Sequence, residues 1–229
     1  SRSDEIWKMP KRSSHPMFND PHRAFYLNSA RKSWLIEPQM VFDTRIGALR
    51  LESIIGATFQ ENAGNQLKLQ GSGYASEALI GNLAAAESVT NASTSNVEYR
   101  YNAIFARLGL NWAKKYYLNL TGRRDGSSRF GPDKRFANFG AIGAAWIFTE
   151  EDFIASAFPF LSFGKLRASY GTTGNDQIGD YGYLDAYAAT RGPNGLYPTA
   201  LANSEYSWEI NKKLEAAVEL GFLKDRIHL

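Results

Sequence analysis

The sequence predicts an all-β protein, an antiparallel meander of about seven strands in which each strand pairs with its neighbours along the chain. Short runs alternate apolar and polar residues with a period of two, as half-buried strands do. The chain is also rich in turn-forming and aromatic residues, with 20 Gly and 12 Tyr. The predicted connections alternate between short and long, which is typical of an outer-membrane barrel and has no reason in a soluble sandwich.

Composition excludes several classes of protein. The 229 residues are 44% hydrophobic, enough for a core, and the net charge of +3 gives no reason to expect a nucleic-acid partner. The absence of cysteine excludes disulfides, thiolate metal sites and cysteine nucleophiles. No apolar run approaches the roughly 18–20 residues of a membrane-spanning helix. No signal-peptide pattern begins at Ser1, so we expect that it was removed or that the chain is an internal piece of a longer one.

The first third of the chain predicts an irregular segment, a hairpin and a long loop. Residues 1–31 contain three prolines among serines and charges, and are predicted to be irregular. Alternation over 34–46 and 49–60 predicts two strands, with Pro38 marking an edge, a bulge or an irregular position in the first. The polar stretch 62–98 is predicted to be a loop, with a helical turn or two around 75–87.

The centre of the chain carries its clearest hairpins. Residues 99–112 predict a strand that turns tightly into a second strand from Tyr116, written YYLNLTGR. The loop RRDGSSRFG follows at 123–131, where Asp125-Gly126 is a turn dipeptide. A run of small and aromatic residues at 136–148 predicts the returning strand.

The last third predicts a helix and two further strands. Thr149 is expected to cap a short helix that has acidic residues in its first turn and ends by Pro159. Strands follow at 163–172 and 208–222, separated by a long loop, and a last strand begins at 227. The apolar residues expected to share the outward side of the sheet are Leu49, Leu51, Leu108, Leu110, Leu118, Leu120, Leu166, Val218 and Leu220.

Four collinear stretches together resemble the SusC/RagA family of TonB-dependent outer-membrane transporters. They are RRDGSSRFG, FGAIGAAWIFTEEDF, LRASYGTTGNDQIGDYGYL at Leu166–Leu184, and the closing strand at Trp208–Phe222. The resemblance covers the chain from about Trp34 to its end. The residues that carry its central motif are Arg123, Arg124, Asp125, Gly126, Ser127, Ser128 and Arg129.

The resemblance implies a place in a larger assembly. It implies that residues 1–229 are a partial wall of a 22-stranded transmembrane β-barrel, with 1–31 irregular, the plug domain absent and the short helix in a periplasmic turn. It further implies TonB-dependent import of glycans or peptides through the outer membrane of a Gram-negative, Bacteroidetes-like cell. A SusD-like surface lipoprotein would cap the barrel, TonB would drive transport through an N-terminal region missing here, and no cofactor is implied.

The candidate ligand-binding residues are aromatic and polar groups in or beside the long loop before the last full strand. Flat amphipathic rings can stack on sugars or peptides, while amides and carboxylates fix the orientation of the ligand. The alternative is that the rings only pack the loop. The candidates are Tyr181, Tyr183, Tyr187, Trp208, Asn175 and Asp176. Inward Arg107, Arg123, Lys165 and Arg167 would form a basic wall, or would pair with inward acids.

Catalysis and metal binding have little support in the sequence. His15, His22 and His228 lack the spacing of metal ligands, and no nucleophile or phosphate-loop motif is present. We therefore expect neither an enzyme nor a metal protein. Two alternatives to transport stay open, a soluble all-β ligand-binding module and, with less support, a barrel-type outer-membrane enzyme.

Overall fold

A computed structural model describes residues 1–13, 17, 20–189, 195–223 and 226–229. Its twelve strands and one α-helix are β1 (Arg2–Met9), β2 (Arg23–Ile36), β3 (Gln39–Ile46), β4 (Leu49–Ser72), β5 (Ser88–Trp112), β6 (Tyr116–Ser127), β7 (Phe136–Ile147), α1 (Asp152–Ala157), β8 (Leu161–Asn175), β9 (Ala186–Ala189), β10 (Leu196–Ala200), β11 (Glu209–Phe222) and β12 (Ile227–His228). Among the described residues, no helix has the length and apolar character needed to cross a membrane. His15 lies outside the described residues.

The chain divides into two compact units, and the first consists of Ser1–Trp34 and Glu61–Tyr99. In it β1 pairs antiparallel with β2. A small core forms around the buried side chains of Ala24, Tyr74 and Ile80. The hydroxyls of Tyr26 and Tyr74 lie 2.9 Å apart, and burial, followed by this hydrogen bond, raises the pKa of Tyr74 to about 12.

Two predictions for this first unit were wrong. Residues 1–31 are not irregular, because β1 and most of β2 lie there. The loop predicted at 62–98 is also shorter, since β4 continues to Ser72 and β5 begins at Ser88. The connection that remains holds two 3₁₀ turns, at Glu77–Leu79 and Leu83–Ala85, where the sequence predicted helical turns.

The second unit, Leu35–Gln60 and Arg100–Leu229, is a sheet built as a meander. β3 pairs with the start of β4, and the order continues through β5, β6, β7 and β8 to β11 and β12. The paired registers within this unit are antiparallel. The all-β antiparallel prediction is confirmed, with β9 and β10 forming a separate two-stranded sheet inside the connection that leads to β11.

Two local features of the second unit depend on single residues. The chain leaves strand geometry at Glu37-Pro38, between the end of β2 and the start of β3, as the proline indicated. The predicted short helix is present as α1, but Thr149 does not cap it, and Glu151 occupies the cap position. The Thr149 hydroxyl instead accepts a 2.9 Å hydrogen bond from the Gly164 amide, which fastens the turn after β7 to β8.

The register sorts the side chains of the second unit onto two faces. Directly opposed residues of antiparallel strands share a face, and Leu108 lies opposite Leu120, Leu110 opposite Leu118 and Leu166 opposite both Trp146 and Val218. Gly109 alternates with Leu108 and Leu110, and a Cβ at Gly109 would lie 3.8 Å from the Glu52 Cβ, so Glu52 is on the face opposite the leucines. Leu49 and Leu51 point away from Glu52 and therefore lie on the same face as the leucines. The predicted outward set therefore shares one side, called here the apolar face.

Candidate functional site

The apolar face of the sheet is exposed, although its side chains are those of a protein core. Leu214 is 77% accessible, and large apolar residues of β3 to β8 and β11 are similarly open. They include Met40, Phe42, Ile46, Ile55, Ile104, Trp112, Leu120, Ile142, Leu166 and Val218. Exposed apolar patches of this extent mark an interface with lipid or protein.

An aromatic row closes the apolar face at the end with the short turns. Trp112 and Tyr116 stack with ring centroids 5.5 Å apart, and Tyr116 and Trp146 stack at 6.5 Å. Phe148 continues the row edge-on to Trp146 at 5.8 Å and lies over Gly164, where a side chain would collide with its ring. Aromatic rows at this level are typical of the interfacial girdles of membrane barrels.

Glu151 satisfies the polar atoms at the edge of the aromatic row. Its carboxylate accepts hydrogen bonds from the Tyr116 hydroxyl at 2.7 Å and from the Trp146 indole at 3.4 Å, and it binds the Lys115 ammonium at 3.1 Å. The Tyr116 hydroxyl, followed by Lys115, lowers the pKa of Glu151 below the ordinary value. One carboxylate therefore links two rings of the row to the start of α1.

The opposite face of the second unit, called here the polar face, carries paired charges. Arg167 and Lys165 both bind Glu219, at 2.8 Å and 3.3 Å. Arg50 binds Asp43 and Glu52, each at 2.8 Å. The structure thus favours acid–base pairing over an uncompensated basic wall.

The polar face also carries a groove. It has a volume of about 560 Å³ where the strand residues are small, at Gly143, Ala145, Ser169 and Ala217. Asn119 and the charged Arg167 and Glu215 border it.

The first part of the motif is not a loop: residues 123–127 belong to β6, so the turn predicted at Asp125-Gly126 is wrong and the loop begins after Ser127. Arg123 Nε donates to both carboxylate oxygens of Asp125, at 2.8 Å and 3.0 Å, and its Nη2 donates to the Tyr101 hydroxyl at 2.6 Å. Arg124 lies on the apolar side, with its guanidinium 5.3 Å from the Phe136 ring centre. Gly126 allows this packing, because a Cβ there would lie 2.5 Å from the Phe136 ring.

The second part of the motif loop bonds to the connection after β8. The buried Ser127 hydroxyl donates to Asp176 Oδ2 at 2.7 Å, and Arg129 Nε donates to Asp180 Oδ1 at 2.8 Å. Arg129 also donates to the Asp176 carbonyl at 3.2 Å. Ser128 exchanges hydrogen bonds with the Arg100 backbone. The motif therefore joins two connections that are distant in sequence.

A small aromatic core lies beneath these polar bonds. Phe130 is fully buried and packs on Trp208 at 5.3 Å, while Phe139 meets Trp208 edge-on at 5.6 Å. The Trp208 indole donates to the Arg135 carbonyl at 3.1 Å. Trp208 is only 8% exposed, so its ring contributes to packing. For this residue the structure favours the packing role over contact with a ligand.

The other candidate ligand residues lie in different settings. Tyr181, 44% exposed, and Tyr187, 56% exposed, offer open rings, whereas Tyr183 is partly buried beside Gly131. Asn175 accepts from the Gln177 amide and donates to Glu209, and Asp176 is held by Ser127. Ligand contact stays a prediction for all of them, and the open rings are its best candidates.

Sequence reasoning missed two residues of this site. The sequence pattern shows Phe130 only as part of the motif and Phe139 only as a strand residue. In the structure both side chains are buried against Trp208. A large aromatic inside a loop of Gly, Ser and Arg was the available indication for Phe130, because polar loops rarely keep such a ring in water.

Comparisons with known proteins agree with this geometry. No family model matches the chain. TonB-dependent receptor P26 of Formosa agariphila is 31% identical over 207 residues, which are 86% of this chain and 21% of that receptor. TonB-dependent receptor SusC of Bacteroides thetaiotaomicron is 32% identical over 139 residues, 54% of this chain and 13% of SusC.

Solved structures show the same relationship. In the structure of the RagAB peptide transporter, a chain with 26% identity matches 90% of this chain at a TM-score of 0.73, over 23% of its own length. The RagAB peptide importer in its closed-closed state matches 98% of this chain at a TM-score of 0.76, and at 23% identity that likeness shows the fold alone.

The extent of each match matters for what can be concluded. This chain spans about a fifth or less of the length of the curated relatives it matches, 13% of TonB-dependent receptor P39 of Formosa agariphila and 21% of P26. The comparisons confirm the predicted resemblance: over most of its length this chain is similar to a segment of the TonB-dependent receptors that include SusC.

Proposed function

We propose that residues 1–229 form part of the barrel wall of an outer-membrane TonB-dependent importer. The observation that carries this proposal is the two-faced sheet of the second unit, apolar and exposed on one side and charged on the other. A membrane barrel needs lipid on the first face and a polar lumen on the second.

The height of the apolar band supports the proposal. On β6 the band runs from Tyr116 in the aromatic row to Arg124, where charge returns to the same face. The rise from Tyr116 to Arg124 is about 27 Å along the strand. At the usual tilt of roughly 40° this is about 20 Å of membrane thickness, close to the apolar band of known barrels.

Transport, rather than catalysis, is the activity we propose for the whole protein. The relatives are named receptors and transporters, and one solved relative is a peptide transporter. We infer a glycan or a peptide as substrate, TonB as the energy-coupling partner and a SusD-like lipoprotein as the outer cap. Tyr181 and Tyr187 would meet the substrate, since they lie in the connection at the end away from the aromatic row.

Two adjacent alanines of β11 give a matched test in the full-length transporter. Ala216 lies opposite Ala168 on the apolar face, and Ala217 lies opposite Arg167 on the polar face between Glu215 and Glu219. Ala216→Arg should cost up to about 2–4 kcal/mol of unfolding free energy in vesicles, because its charge enters the hydrocarbon beside the apolar face. Ala217→Arg should cost little, since its charge faces water and the neighbouring Glu215 and Glu219 offset the opposed Arg167.

Equal losses for the two variants would contradict the proposal. That result would indicate a sheet covered alike on both faces, as in a soluble binding module. A larger loss for Ala217→Arg would also contradict it, because the polar face would then be the one in contact with hydrocarbon.

A further inference from the structure

The segment from α1 to the start of β8 exposes aromatic side chains that the barrel wall itself does not require. No residue of α1 is buried. Phe153 is 69% exposed, and Phe158 and Phe160 are also exposed. Phe158 meets Phe160 edge-on at 6.0 Å, and Phe160 stacks on Phe222 at 6.4 Å. Three exposed phenylalanines within eight positions are costly in water.

The structure fixes where this segment begins. Glu151, the residue that precedes α1, accepts hydrogen bonds from the polar atoms of Tyr116 and Trp146. Those two rings belong to the aromatic row, so α1 starts at the polar edge of the row. If the row marks the boundary between hydrocarbon and headgroups, Phe153 is two residues from that boundary.

The charge of the segment decides which interaction could hold it at a membrane. Residues 149–164, TEEDFIASAFPFLSFG, contain three acids and no Lys or Arg. Electrostatic attraction to anionic lipid therefore cannot hold it. Burial of aromatic surface at the headgroup level remains, and phenylalanine rings favour that environment.

We propose that residues 152–160 form an interfacial anchor, in which Phe153 and Phe158 insert into the headgroup boundary of the leaflet on the short-turn side. The occupant of this exposed surface is lipid. The anchor rests on the proposed membrane wall and adds a second mode of contact, a helix lying on the leaflet beside strands that cross it. The anchor would thereby set the position of the strands along the membrane normal near α1.

Site-directed spin labelling of the full-length transporter in vesicles tests the anchor. A label on Phe153→Cys should collide several times more often with oxygen, which dissolves in lipid, than with a water-soluble nickel chelate. Asp152→Cys, about 100° from position 153 and about 120° from position 158 around the same helix, should show the opposite preference. Leu214→Cys on the apolar face of β11 reports the wall independently.

The outcomes separate the anchor from the wall. A water-exposed label at 153 beside a lipid-exposed label at 214 overturns the anchor and leaves the wall intact. Protection of the 153 label from both reagents also overturns it, because protein would then cover the segment. Water exposure at 214 overturns the wall and the anchor together.

Salt provides a second measurement on the same samples. Insertion through aromatic burial should give the same depth at 153 in about 0.1 M and about 1 M salt, since screening acts only on charge. A depth that collapses at high salt would overturn aromatic insertion as the cause.

Discussion

Arg129 Nε donates a 2.8 Å hydrogen bond to Asp180 Oδ1, and so ties the connection after β6 to the connection after β8. The two side chains are about three-quarters buried. The same guanidinium reaches the Asp176 carbonyl, and Ser127 holds the Asp176 side chain. The motif that carries the family resemblance is therefore a clamp on the segment that bears Tyr181 and Tyr187.

Arg129→Ala should loosen this segment without unfolding the sheet. Loss of charge-assisted hydrogen bonds should cost about 1–3 kcal/mol locally. Amide hydrogen exchange should accelerate over 176–185 and stay unchanged in β6 and β7. Lys134→Ala is the control, because it breaks an ion pair with the largely exposed Glu205 and should cost roughly 0–1 kcal/mol. Equal acceleration in both variants would contradict the clamp.

Alanine at Tyr181 or Tyr187 should weaken ligand capture by the full-length transporter. An exposed ring that stacks on a ligand in a desolvated pocket is worth roughly 1–3 kcal/mol. Titration calorimetry with the transported glycan or peptide measures the loss, and barrel assembly should be unaffected. Tyr170, 47% exposed but on the apolar face opposite Leu214, provides a matched control as Tyr170→Ala. Unchanged affinity at both positions would leave these tyrosines with a packing role alone.

Gly174→Ala should destabilise the aromatic core around Trp208. A Cβ at 174 would lie 2.0 Å from the Phe139 ring, and Phe139 is buried against Trp208, so the ring cannot move aside. Overpacking of this kind costs about 1–3 kcal/mol in unfolding free energy. Gly122→Ala is the control, because no atom lies within 4 Å of its Cβ position. A cost at 122 equal to that at 174 would show that backbone freedom, not space, is responsible.

The effect of Glu151→Gln should depend on pH. The folded pKa of Glu151 lies below its unfolded value, so the ionised carboxylate stabilises the fold above about pH 4.3, the ordinary glutamate pKa. That contribution is lost as the pH falls through the lowered pKa of the folded state. The variant should therefore be less stable than the parent at pH 7 and equal to it in strong acid, as measured by denaturant unfolding. A difference independent of pH would contradict the role of ionisation.

Alternation predicted the main strands of the second unit, and failed over much of the first unit. Leu118 and Leu120 alternate with Asn119 and Thr121, and β6 begins at Tyr116 as this pattern predicted, although it continues beyond the predicted end to Ser127. Residues 88–96 of β5 are polar apart from Val89 and Ala92 and are exposed almost throughout, so pairing rather than burial defines that part of the strand. A period in hydrophobicity cannot reveal such a strand.

The candidate site was predictable in position but not in pairing. The sequence placed Asp176 and Asp180 in one long connection, and Trp208 at the start of the strand that follows it. It could not show that Ser127 and Arg129 bind the two acids, or that Phe130 covers the indole, because those contacts depend on how two connections fold over the same sheet. Residue identity indicates which groups can form a hydrogen bond, but the folded path of the two connections decides which of them meet.

The turn between β5 and β6 contains backbone strain that a substitution could remove. Ala113 and Lys114 both have left-handed backbone angles, with φ of 54° and 61°, a conformation that costs side-chain-bearing residues about 1–2 kcal/mol each. The neighbouring turn has a single left-handed residue, and there it is a glycine, Gly47. The Ala113 amide donates to the Ala48 carbonyl, which joins the two turns. Asn-Gly at 113–114 would relieve that strain at the end of the sheet opposite Tyr181 and the Arg129 clamp. This turn is therefore a natural starting point for stabilising the proposed barrel wall.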